Sequence, residues 1–63
     1  MDATTLLLRQ IADEQAVQGR WIAAGNAKDF ADYQRVCGVI QGLARAENLV
    51  KDLVQKMERN DDE

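Results

Sequence analysis

The apolar positions fall into two runs of helical spacing, separated by the polar stretch "AGNAKD" at residues 24–29. In the first run Leu7, Leu8, Ile11 and Ile22 lie on one arc of a 3.6-residue helix. In the second, Val36, Val39, Leu43, Ala46, Val50, Leu53 and Met57 form an unbroken 3-4-3-4 series, the spacing of a coiled-coil seam. Ile40, Val54 and Tyr33 widen that arc to about half the helix circumference. The chain has no proline and no sustained alternation of strand type. The pattern predicts an all-α fold: a two-helix antiparallel hairpin, residues 3–24 and 29–59, forming a single domain over residues 1–63.

End signals agree with these bounds. Asp2 or Thr4 is placed to cap the first helix, and Gly25 suits the left-handed position after its last turn. "DFAD" places a capping acid at Asp29 and a second carboxylate, Asp32, where the helix dipole favours negative charge. Lys56 and Arg59 suit the C-terminal end, after which "NDDE" is expected to fray.

Gly38 and Gly42, in "GVIQG", sit inside the second helix, where each costs about 1 kcal/mol relative to Ala. A loop centred on Asn26 and Ala27 suggests a purpose for them. It would set Ala23 against Ala31, Ala16 against Gly38, Ala12 against Gly42, and Leu8 against Ala46. Small residues facing one another let two backbones approach closely. The predicted hairpin seam is therefore Ala12, Ala16, Gly38, Gly42 and Ala46; the alternatives are glycines tolerated without purpose on an exposed face and close approach by another subunit.

At 1.5 Å per residue the helices span roughly 33 Å and 46 Å, so the second overhangs the first. In this register everything beyond about Val50 lies past the first helix, leaving Leu53, Val54 and Met57 bare. One neighbour cannot cover so wide an apolar arc. Val36, Val39, Ile40, Leu43, Val50, Leu53, Val54 and Met57 are accordingly the expected protein-interaction residues, together with Trp21. Leu6, Val17 and Trp21 form a second patch on the first helix, where Trp21 either anchors a partner or covers the loop end against Phe30.

Length strengthens this expectation. A chain of 63 residues buries only about 60% of its unfolded surface and is marginal alone. Small scaffolds usually gain stability from disulfides, a metal or oligomerisation. Cys37 is the only cysteine and there is no histidine, so neither an internal disulfide nor an ordinary structural zinc site is expected. A homo-oligomer or a larger protein partner is what remains.

Candidate chemistry is thin. Without histidine, neither a Ser-His-Asp nor a Cys-His site can be assembled, and no phosphate loop, dinucleotide fingerprint or calcium loop is present. The expectation is a non-enzyme with no cofactor, no metal and no small-molecule substrate. Cys37 reads as a small buried or half-buried residue, and Glu47 pairs with Lys51 one turn on. Gln15 and Gln18 face inward or lie at the surface. With net charge −3 and scattered Lys and Arg, direct nucleic-acid binding is not expected. The longest apolar run, Leu6 to Leu8, is far below the roughly 20 residues that span a bilayer. The N-terminal stretch also lacks the basic region of a signal peptide.

Residues 28–63, through "DFADYQ", "CGVIQGL" and the acidic "NDDE", resemble small helical proteins of tailed, especially short-tailed, bacteriophages encoded near portal and head genes. The resemblance implies a phage origin and a place in the virion, such as an accessory layer at the portal or head-tail region. It brings no functional residues. The expected function is a structural interaction protein that buries an apolar helix face, located in the virion or the host cytoplasm. The alternative is a small phage regulator that binds and modulates a host protein.

Overall fold

The computed structural model describes residues 2–61, with side-chain surroundings through Glu58. It is an all-α helical hairpin: α1, Ala3–Ala23, is followed by α2, Phe30–Asp61, and the two pack along their lengths. The described residues include no strand. Among the described residues no helix is long and apolar enough to cross a membrane.

Each helix end forms for a local reason. Asp2 is the N-cap of α1, its Oδ1 accepting from the Thr5 amide at 2.7 Å. At the other end Ala24 is the C-cap and Gly25 takes φ +78°. The Gly25 amide donates to the Ile22 carbonyl at 3.0 Å and the Asn26 amide to that of Trp21 at 3.4 Å. This pair of bonds defines a Schellman stop, and glycine occupies the residue that requires the left-handed conformation. Asn26 adds its side-chain amide to the Trp21 carbonyl at 3.2 Å.

α2 is capped by Asp29, whose Oδ1 accepts from the Asp32 amide at 2.8 Å. The Asp32 carboxylate reaches back to the Lys28 amide at 3.3 Å and holds Arg35 at 2.9 Å. This is a capping box displaced by one residue, because its return bond ends on Lys28 and not on the cap itself. α2 continues through Asp61, two residues beyond the expected end. The expected fraying of the last residues and the role given to the Arg59 side chain lie outside the described residues.

The seam differs from the predicted one in both register and rotation. On α1 the residues shielded along one stripe are Thr4, Leu8, Ile11, Gln15, Gln18 and Ile22. On α2 the matching stripe is Val36, Ile40, Leu43, Glu47, Val50 and Val54, and among the described residues Val36 is the one fully buried core residue, 1% exposed. The stripes superpose in antiparallel order with Ile22 level with Val36 and Thr4 level with Val54. Thr4, Thr5 and Leu8 line one notch with Val54, Met57 and Glu58, which agrees with that register at the open end.

Ala12, Ala16, Gly38 and Gly42 are therefore not the seam. All four are exposed, and a Cβ built on either glycine meets nothing within 4 Å. Ala46 is half-buried at the seam's edge. Two physical causes account for the difference. The connection from Ala24 to Asp29 is not a symmetric loop: the chain runs outward past the Schellman stop, so α2 begins about one turn beyond the end of α1. In water, moreover, the branched side chains remove far more apolar area when they meet than Ala and Gly do. Close backbone approach through small residues prevails where that driving force is missing, as in lipid.

The shift of about one turn also relocates the expected overhang. Val54 is half-buried against the first turn of α1, and Met57 borders the notch there. Val54 does not lie past α1, whereas Met57, three residues further along the same stripe, extends beyond the first helical residue, Ala3, and is 58% exposed. Leu53 is exposed because it points sideways, not because α1 has ended.

Candidate protein-interaction face

The shielded stripes follow the heptad spacing of a two-stranded coil, and this places every other side chain. In an antiparallel pair, the residue just before each first-of-pair seam position lies on the same side of the molecule in both helices. On α1 these residues are Leu7, Glu14 and Trp21; on α2 they are Val39, Ala46 and Leu53. Val17 and Leu49 lie slightly further round on the same side, with Gly42 between Val39 and Leu49 along α2. The molecule, 52 × 21 × 12 Å over its Cα atoms, is a thin two-helix slab, and one broad side of it is apolar.

Exposure follows this geometry. Leu7, Val17, Val39, Leu49 and Leu53 are all exposed, Leu49 at 61% and Leu53 at 57%. Trp21 is half-buried where α1 approaches its stop. Glu14 is the carboxylate in mid-face, and its Oε1 accepts from the Gln18 side chain at 3.2 Å.

The opposite side of the slab carries Thr5, Ala12 and Gly19 from α1 and Cys37, Ala44 and Lys51 from α2. It is small and mixed in polarity. Cys37 is a half-buried free thiol there, and its hydrogen bond with the Tyr33 hydroxyl pushes that phenol above its ordinary value. Lys51 Nζ approaches Glu47 Oε1 at 4.0 Å, so the pair expected from spacing forms, with Glu47 half-buried in the seam. Gln15 and Gln18 likewise face inward. Phe30 is 69% exposed and stacks on Tyr33 with ring centroids 6.3 Å apart. Trp21 thus belongs to the apolar side, not to a cover over Phe30.

The residues singled out for interaction divide into two groups. Val36, Ile40, Leu43, Val50 and Val54 are consumed by the hairpin's own seam. Val39, Leu53, Met57 and Trp21 remain outside it, the first three exposed. Sequence reasoning missed Leu49 and assigned Leu7 to the inner arc. The signal for both was present: Leu49 lies three and four residues from Ala46 and Leu53, and Leu7 lies fourteen before Trp21, two heptads exactly on one side.

At the open end, Asp2, Thr4, Thr5 and Glu58 rim the notch over Leu8, Val54 and Met57. Its one strong internal bond is the Asp2 cap. No group of three or more His, Cys, Asp or Glu side chains is placed to hold a metal ion among the described residues.

No protein-family model matches the chain, and neither a curated protein nor a solved structure matches it. The phage resemblance consequently rests on the residues quoted for it.

Proposed function

We propose that this chain is a protein–protein interaction module whose working surface is the apolar side of the slab. The observation that supports this most directly is the clustering of exposed Leu7, Val39, Leu49 and Leu53 with Trp21 on one side. Scattered apolar residues are normal on a protein surface, but a contiguous apolar side rimmed by polar groups marks a contact site. Covering three or four such side chains is worth several kcal/mol at about 25 cal/mol per Å². That is comparable to the whole stability expected of a domain this small.

The proposed setting is a phage particle, with the module as an accessory component near the portal or head-tail region. Mass spectrometry of purified particles tests the setting: the chain is expected at a fixed stoichiometry, and its absence would favour the regulator instead. Photo-cross-linking tests the surface itself. A cross-linker at Leu53 is expected to give a protein adduct in the producing cell, whereas one at Ala44, on the opposite side, is not. Equal adducts from both positions would remove the surface assignment.

A further inference from the structure

The chain exposes 5038 Å². A compact monomer of its 7.1 kDa mass would expose about 4,100 Å². Its Cα radius of gyration is 15.3 Å, where about 11 Å is the norm for a globular domain of this length. The surplus, roughly 900 Å², is close to the 800 Å² that each partner contributes to a standard stable interface. The hairpin therefore exposes about one standard interface more than a compact chain of its mass does.

We infer that the occupant of that side is a second copy of this chain, packed face to face about a twofold axis to make a four-helix bundle. This rests on the interaction-module reading and names its partner. A twofold contact requires one patch to complement itself. Here the large side chains stand toward the two ends, Leu7, Leu49 and Leu53 at one and Trp21 with Val39 at the other, while Gly42 and Ala46 leave room between them. With the axis along the helices, each α1 lies against the other copy's α2 in antiparallel order, as in up-and-down bundles. Glu14 then falls over Gly42 and Ala46, the positions with space for it. Net charge −3 argues against an anionic membrane surface or nucleic acid as the occupant.

The two glycines supply a test that does not endanger the fold. A side chain at Gly38 or Gly42 meets nothing inside the hairpin, and any residue but proline improves helix propensity there. Gly42 lies in the proposed contact, whereas Gly38 points away from both the seam and the apolar side. Sedimentation equilibrium on the full chain is expected to show a monomer–dimer transition for the unmodified protein. Gly42→Glu is expected to raise the dimer Kd on the order of a hundredfold, by setting an unpaired carboxylate in an apolar contact beside Glu14. Gly38→Glu is expected to leave Kd unchanged, and circular dichroism should show both variants fully helical. Equal loss of dimer in both variants, or no loss in Gly42→Glu, would overturn the second-copy assignment. So would an unmodified chain that stays monomeric and helical at high concentration. The Leu53 cross-link to another protein would then preserve the module reading, and loss of that adduct as well would end both.

Discussion

At the scale of single residues, the helix ends are governed by groups whose chemistry is local. The Thr5 amide, hydrogen-bonded to Asp2, holds that carboxyl below its ordinary value. Arg35 does the same for Asp32, assisted by the Lys28 amide. A carboxyl whose value is lowered by folding contributes stability above its unfolded value, here 3.8, and loses it as pH falls through that value toward the folded one. The urea midpoint is therefore expected to drop as the solution is acidified from about pH 5 toward pH 3. Asp2→Asn with Asp32→Asn, which keeps side-chain acceptors at both positions, should flatten that decline. A slope unchanged by the pair would mean that other carboxylates carry it. These residues were legible in advance, since Asp2, Gly25, Asp29 and Asp32 act within five positions of themselves.

At the scale of the elements, two helices of unequal length were readable from spacing alone, and their bounds moved by one or two residues at the ends. The rotation of α2 was not readable. Its 3-4-3-4 series and the stripe actually shielded share Val36, Leu43 and Val50, but diverge at Val39 against Ile40, Ala46 against Glu47, and Leu53 against Val54. An arc covering half a helix offers two seams about 50° apart, and periodicity does not choose between them. Gly38 shows the consequence. Facing open space in a helix interior, it costs helix propensity and gains nothing from packing. Gly38→Ala is expected to stabilise the fold by about 0.5–1 kcal/mol in urea titration. A destabilised variant would mean that something does approach that position.

At the scale of the whole molecule, register decides what the protein has left to offer. Leu8 level with Val50, and Val54 within reach of Thr4, put the branched residues in the seam and leave Val39, Leu49 and Leu53 on one side. A double-mutant cycle checks this: Leu8→Ala and Val50→Ala are expected to couple by at least about 0.5 kcal/mol, as residues in contact do. Strict additivity would refute the register.

The chain by itself determined that there are two amphipathic helices, where each is capped, and that their combined apolar arc exceeds what one neighbour covers. Those properties follow from hydrogen bonds and side-chain spacing within a few residues. Only the tertiary structure decided which edge of the α2 arc meets α1 and which is left over. That choice depends on the outward path of residues 24–29 and on the apolar area gained when Ile22, Ile11 and Leu8 meet branched partners instead of glycine. Both are long-range terms that no local window of sequence contains.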